Sequence, residues 1–517
     1  MDKAVKKIVI VGGGSAGWLT AGIIAAEHRI AEQHTLEITL VESPDVKSIG
    51  VGEGTWPSMR NTLDKIGITE LEFIQQCDAS FKQGSKFINW QSAQSGDFYY
   101  HPFMTPEGYT EVNLSRHWQE QEQQQKQSFA STVNAQYHVC EAGLAPKQFT
   151  TPAYAGVANY GYHLNAGKFA TLLQQHCTKK LAVKHIVAHI ENILASPSGD
   201  IEKLATKDGQ LIEGDLFIDC SGSAGLLISK HFNIPLIKQD KVLFNNCALA
   251  TQVPYTLQQD IASATLSTAQ TSGWIWDIGL PSRRGVGHTY SSAHISDTDA
   301  EQQLRHYIAS SIGEKETDKL SIRKLKFTPG YREKFWHKNC VAVGMSAGFI
   351  EPLEASALAM IELSITMISE QLPQTRGQMD IVAERFNSRF SYRWQRVIEF
   401  LKLHYILSAR RDSEYWRDNQ LASSIPERLA QLMQLWQHQP PSRYDFIENE
   451  EVFPSASYQY VLYGMGYYTK PRAHQSLFEN KQLAEQLFAK VQHQKQQFLQ
   501  GLPTNRALID YYCQQPL

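Results

Sequence analysis

The segment that most narrows what this chain can fold into lies at its N-terminus. Lys7-Ile8-Val9-Ile10-Val11 is an unbroken β-branched run after its lysine, the pattern of a strand buried on both faces of a parallel sheet. It leads into Gly12-Gly13-Gly14-Ser15-Ala16-Gly17-Trp18, which places G-x-G-x-x-G at Gly12, Gly14 and Gly17. Gly12 permits the tight turn, Gly14 lets backbone approach a pyrophosphate, and Gly17 lets helix and strand pack closely. A helix is expected to follow, through Leu19 to about Ala31, its positive end facing the phosphates. A second strand, Leu36 to Val41, ends at Glu42, near the spacing of a ribose-binding carboxylate. Strand, glycine loop, helix and acid together specify a dinucleotide-binding unit.

At 517 residues the chain is too long for one small core and suggests two or three domains. A formal net charge of −3 argues against nucleic acid as a partner, because phosphate neutralisation needs clustered Lys and Arg. No apolar run reaches the roughly 18 residues of a membrane-spanning helix. Met1 to Lys7 leads straight into the first strand with no apolar leader, which points to the cytoplasm. The seven cysteines are odd in number and scattered, and no Cys-x-x-Cys or Cys/His cluster offers a metal site. Reduced thiols are the simplest reading. The glutamine-rich stretch Gln119 to Gln127 reads as a solvated helix, and no internal repeat is visible.

FAD is favoured over NAD. The glycine loop sits at the extreme N-terminus and the sheet resumes far downstream, as in large FAD-binding folds. Asp215-Leu216-Phe217-Ile218-Asp219-Cys220-Ser221-Gly222 is a second buried strand, preceded by a hairpin-like segment from Ile186 to Gly214. Cys340-Val341-Ala342-Val343-Gly344-Met345-Ser346-Ala347 is a third, and its C-terminal end would face the ligand.

Four further segments share a pattern. Gly273-Trp274-Ile275-Trp276-Asp277-Ile278 sets two indoles on one face of a strand. Ser48-Ile49-Gly50-Val51-Gly52-Glu53-Gly54-Thr55-Trp56-Pro57-Ser58 is a glycine-rich loop after the second strand. Phe81-Lys82 is followed by Phe87 and Trp90, and Glu351-Pro352-Leu353-Glu354-Ala355-Ser356-Ala357 closes the set. These resemble, in turn, the W-x-W-x-I-P, I-G-V-G-E-A-T-I-P-S, catalytic-lysine and E-P-L-E-S-T-G segments of the flavin-dependent tryptophan halogenases. His404-Tyr405, the run from Arg410 to Trp416, and Leu502-Pro503-Thr504-Asn505 extend the resemblance to nearly the whole length.

The resemblance implies an α/β fold. It comprises a glutathione-reductase-like, Rossmann-type FAD-binding domain, a mixed substrate-domain sheet, and a mainly helical C-terminal module. Boundaries are expected at 1–375 and 376–517, with substrate-facing insertions around 80–165 and 235–330. It also implies that reduced FAD from a separate flavin reductase, oxygen, and chloride or bromide yield hypohalous acid, which halogenates a small aromatic substrate. Flavin contacts are expected from Gly12, Gly14, Ser15, Ala16, Gly17, Glu42, Gly50, Val51, Gly52, Glu53, Gly344 and Ile350. An isolated lysine is ordinarily a solvated surface charge. Lys82 maps onto the catalytic lysine, whose ammonium would hydrogen-bond hypohalous acid or form a haloamine with it. Glu354 would stabilise the cationic ring intermediate or remove its proton. Backbone N–H groups of Ser356 and Ala357 would bind halide at the start of a helix near Leu353. Rings of His101 and Phe103 would flank the substrate, while Trp274, Trp276 and Ile278 mark the motif that separates halogenases from monooxygenases.

Departures from the family pattern are specific. Gly279 stands where the motif has proline, and Ala355-Ser356-Ala357 replaces Ser-Thr-Gly. Between Tyr444 and Pro454 there is no equivalent of the Tyr-Tyr, Glu and Trp clamp for free tryptophan, so a different indole or a larger aromatic is the expected substrate. An aromatic hydroxylase of the same superfamily, or a flavin-binding protein with lapsed catalysis, stand as alternatives. A homodimer is among the possible assemblies.

Overall fold

Lys7–Val11 pairs in parallel with Glu37–Glu42 on one side and Leu216–Asp219 on the other. Lys184–Val187 and Cys340–Ala342 extend the sheet in parallel, and Trp336–His337 adds an antiparallel edge. A parallel sheet must be covered on both faces. Helices Ser15–Glu27, Ala166–Lys180 and Ser356–Glu370 pack together over one face. The other is covered by an antiparallel meander of Ile190–Ala195, Ile201–Thr206 and Leu211–Glu213. Its Ile201, Leu204 and Ile212 meet Val9, Val41 and Phe217 in one apolar cluster. The hairpin expected before Asp215 is this meander.

The computed structural model describes residues 3–45, 52–94, 96–125, 127–255, 259–448, 450–470 and 479–517. Gly50 and Val51 therefore lie outside the described residues.

A second, seven-stranded sheet is mixed, as expected for the substrate side. Its order is Arg323–Lys326, Cys247–Pro254, Arg283–Tyr290, Trp274–Gly279, Thr265–Ala269, Gly84–Ile88 and Phe98–Pro102. Only the Thr265–Ala269 and Gly84–Ile88 pair is parallel, which joins strands from two distant stretches of chain. A three-stranded sheet sets Gly52–Gly54 and Ser80–Lys82 on either side of Gly161–Asn165.

From Arg376 the chain is mainly helical. Arg376–Ile406 runs for 31 residues and buries Phe386, Phe390, Trp394, Val397, Phe400 and His404 along one stripe. The largest apolar cluster runs from Val5 to Ile509, so the helical region shares its core with the sheets. Among the described residues no helix is long and apolar enough to cross a membrane. Six cysteines are buried and Cys513 is exposed, all as free thiols.

Local expectations differ in three places. The first helix stops at Glu27, because Arg29 turns left-handed (φ 47°) and starts a single turn, Ile30–Gln33. The helix anticipated near Leu353 begins at Ser356, after Glu354 and Ala355 both adopt positive φ (64° and 54°). In the helix Leu114–Gln125, Gln119 is buried rather than solvated.

Candidate active site

The dinucleotide end is built as the glycine spacing demands. Gly12 has φ 120°, and a Cβ there would lie 2.2 Å from the carbonyl oxygen of Cys220. A Cβ on Gly17 would lie 1.9 Å from the oxygen of Gly12, so only glycine lets helix and turn close. Beyond Gly14 there is open space. The helix beginning at Ser15 has no side-chain cap and no acid in its first turn, which leaves its first amides available to a pyrophosphate. Glu42 ends the second strand beside Gly13 and accepts from His185 Nε2 at 3.0 Å. Gly344 (φ 72°) lies against Ala16. A cleft of about 780 Å3 lies between this sheet and the next, lined by Ser223 and Met345 and by Cys247, Asp297 and Lys324 of the second sheet and its helix, but not by the glycine loop. Ligands of open α/β sheets bind at the carboxyl ends of the strands. The donors and the glycine cradle fit a dinucleotide.

Lys82 ends its short strand with only 1% of its surface exposed. Its Nζ stands 5.3 Å from the ring centre of Phe103. Gly54, across the three-stranded sheet, is so close that a Cβ would lie 3.1 Å from Nζ and 3.3 Å from Ala355 Cβ. Burial pulls the ammonium down to about 8, against the attraction of Glu354. Two residues earlier, the Ser80 hydroxyl donates to the Gly279 carbonyl at 2.5 Å, tying the lysine strand to the end of the two-tryptophan strand.

Glu354 is buried and held from several sides. Its Oε1 meets His101 Nδ1 at 2.7 Å and His404 Nε2 at 3.5 Å, and its Oε2 accepts from the Ser85 hydroxyl at 3.3 Å. Burial pushes the carboxyl up, but His101, then His404 and Lys82, outweigh it and leave it below its ordinary value. The Trp56 indole donates to the Glu354 carbonyl at 2.8 Å, which fixes the left-handed turn. Ser356 and Ala357 open the next helix, which has no side-chain cap and no first-turn acid, so their N–H groups suit an anion. Ile350 is buried just ahead of this turn. Glu53, next to Gly54, is pushed up to about 7 by burial.

The two-tryptophan motif reaches the same turn from beneath. Trp274 and Trp276 lie edge to face at 6.2 Å, both buried on one side of the strand. Trp274 Nε1 donates to Glu351 Oε2 at 2.7 Å, and that oxygen also accepts from Tyr405 and Asn245, each at 2.7 Å. Trp276 covers Gly287, where no side chain would fit, and Ile278 packs near Gly52 of the glycine-rich loop. These contacts place Trp274, Trp276 and Ile278 at the junction of loop and turn.

The structure brings Lys82, Glu354, His101, Phe103 and the Ser356 amides into one neighbourhood, with the dinucleotide loop on the adjoining sheet. Sequence reading missed Ser85, His404, Tyr99 and Trp56 as partners of that neighbourhood. His404 is neutral, pushed down to about 3 by burial, and its Nδ1 pairs with the Tyr99 hydroxyl at 2.5 Å. Only the strand pairing of Ser85 with His101 brings Ser85 to the carboxylate, and no local motif encodes that.

The tryptophan halogenase family model matches residues 7–482. This chain belongs to the tryptophan halogenase family. A crystal structure of a tryptophan halogenase from Shewanella frigidimarina superposes with a TM-score of 0.95 at 51% identity, over 99% of this chain and 98% of that one. The tryptophan 6-halogenase of Streptomyces albogriseolus is 31% identical over 98% of this chain and 99% of its own. A flavin-dependent halogenase from Brevundimonas superposes with a TM-score of 0.85 at 29% identity, covering 98% and 99% of the two chains. The protein is thus a flavin-dependent halogenase, an oxidoreductase of α/β fold.

Proposed function

We propose that this halogenase takes reduced FAD from a separate flavin reductase and uses it with oxygen and chloride or bromide. The product is a halogenated indole or other electron-rich aromatic, formed at Lys82. When bound, reduced FAD would give two electrons to oxygen, and the oxidant so formed would take two more from halide to yield hypohalous acid and water. The observation that carries the reading is the buried Lys82 ammonium, faced by Phe103 and placed within electrostatic reach of Glu354. In such a dry site an ammonium is a strong donor to the oxygen of hypohalous acid. Its lowered proton affinity also keeps a neutral-amine fraction for haloamine formation.

The other residues take roles that follow from position. Amides of Ser356 and Ala357 hold halide, and Gly12, Gly14, Ser15, Ala16, Gly17, Glu42 and Gly344 hold the dinucleotide. Gly52, Glu53 and Ile350 border the flavin, and Gly50 and Val51, outside the described residues, belong to the same proposed set. His101 and Phe103 wall the ring of the substrate, and Glu354 compensates positive charge as the halogen adds. The proposed substrate is an indole other than free tryptophan, or a larger aromatic. In support, two acids of the segment after Tyr444 are already engaged: Glu448 pairs with Arg389 at 3.0 Å and Glu451 accepts from the Tyr392 hydroxyl at 2.5 Å. Tyr444 and Ile447 project into solvent.

The test is turnover with a flavin reductase, FAD, NADH and an indole panel, with chloride and bromide in separate reactions, read by mass spectrometry. A halogen isotope pattern that disappears in Lys82→Ala, while FAD still binds, supports the reading. Hydroxylated product, or none despite tight FAD binding, replaces it with the hydroxylase or lapsed-flavoprotein alternative.

A further inference from the structure

Electrophilic halogenation ends with the loss of a ring proton, and the geometry around Glu354 bears on where that proton goes. Both carboxylate oxygens are already engaged, Oε1 by His101 and Oε2 by Ser85, while His404 Nε2 stands 3.5 Å from Oε1 without a hydrogen bond. A carboxylate so supplied with donors is a weak proton acceptor. His101 has the opposite arrangement. Its Nδ1 lies 2.7 Å from Glu354 Oε1, and opposite an ionised carboxylate that nitrogen carries the proton. In the tautomer that this bond selects, the lone pair lies on Nε2. That atom has no hydrogen-bond partner among the described residues, and unlike Nε2 of His404 it is not sealed inside the core. The ring is steadied between Phe400 at 5.7 Å and Tyr460 at 6.1 Å. Strand pairing of Gly84 with Pro102 sets His101 and Phe103 beside the segment that carries Lys82.

We propose that His101 Nε2 is the general base that removes the ring proton, and that Glu354 is its orienting carboxylate. The assignment rests on the halogenase reading above. The relation of Glu354 to His101 is that of carboxylate to imidazole in any base held in one tautomer by a buried acid. As halogen bonds to the ring carbon, the halogen–oxygen bond breaks and its electron pair leaves on oxygen. That oxygen takes a proton from the Lys82 ammonium and departs as water. The C–H bond at the halogenated carbon then breaks, its electron pair restores the aromatic ring, and the proton passes to His101 Nε2. The imidazolium so formed is compensated by Glu354 and returns its proton through water to Lys82. Aromatic substrate and hypohalous acid thus become halogenated product and water.

The test uses the full-length protein with a flavin reductase, FAD, bromide, and an indole that the wild type halogenates, with and without deuterium at the carbon attacked. The wild type is expected to show no isotope effect on kcat. His101→Phe keeps a ring wall and removes the base. It is expected to lose about 100-fold in kcat, with little change in KM for the indole, and to develop a primary isotope effect. His101→Gln should behave alike. Glu354→Gln, which leaves the imidazole but not the charge that fixes its tautomer, should show a smaller effect of the same kind and serves if either His101 variant fails to bind FAD. Retained turnover in His101→Phe, or a slower rate without an isotope effect, overturns the assignment and leaves the histidine as a wall. Absence of halogenated product from the wild type with every indole overturns the halogenase reading itself, and the base with it.

Discussion

Lys82 shows how a single buried charge weighs on stability. Its ammonium is held near 8 by burial, whereas an ordinary lysine titrates near 10.5. Between those values the unfolded chain binds more protons than the folded one, so stability rises as pH climbs from 8 towards 10.5. Below that window the cost is about 3 kcal/mol. Lys82→Met, which keeps the apolar stem, is expected to abolish halogenated product and to stabilise the fold by up to about 3 kcal/mol at pH 7, less at pH 10. Urea denaturation at the two pH values checks this, and equal stability of the two proteins at pH 7 would count against it. Lys82 was legible in the sequence because its aromatic neighbours are local: Phe81, Phe87 and Trp90 surround it within nine residues of chain. The partners of Glu354 were not. Ser85, His404 and Trp56 reach it through strand register and helix packing across distances that no spacing rule records.

At the level of elements, the glycine loop and its flanking strand and helix follow from their residue pattern: Gly17 answers Gly12 within the same unit, although the room at Gly12 is taken by the distant Cys220. The turn at Glu354 does not. Two successive residues with side chains adopt positive φ, and no Gly or Asn announces it. Tertiary contacts hold it: Trp56 at the Glu354 carbonyl, and Glu351 pinned by Trp274, Tyr405 and Asn245. Trp274→Phe removes one of those three donors while keeping an aromatic ring. Halide dependence is expected to weaken more than FAD affinity in this variant, measured as the halide concentration for half-maximal rate. The helix that follows the turn is joined to Ser58–Ile66 through Glu362, which accepts from Thr62 at 2.5 Å and Ser58 at 3.0 Å. Burial pushes Glu362 up to about 7, so the folded state holds the extra proton between 4.5 and 7 and stability falls as pH rises through that range. Glu362→Gln should be more stable than the wild type by up to about 3 kcal/mol at pH 9 and no more stable at pH 4, by denaturant titration.

On the scale of the whole molecule, the C-terminal region reaches back to the lysine strand. Asn505, fully buried near the C-terminus, donates to the carbonyls of Phe81 at 3.1 Å and Ala262 at 3.3 Å. Asn505→Ala strands two buried carbonyls and should cost about 1–3 kcal/mol, with a loss of turnover although no substrate touches the residue. Thermal unfolding and kcat measured on the same preparation check it, and an unchanged midpoint would refute the link. The halogenase fold announced itself along nearly the whole sequence, whereas the single core uniting sheets and C-terminal helices emerges only in three dimensions. The placement of sulfur in that core has its own consequence. Six of the seven cysteines are buried, and burial pushes the thiols of Cys77, Cys140, Cys177, Cys220 and Cys340 up, away from the thiolate that oxidants attack. The hypohalous acid proposed above would thereby find most thiols out of reach, leaving the exposed Cys513 as the place where oxidation would first be visible.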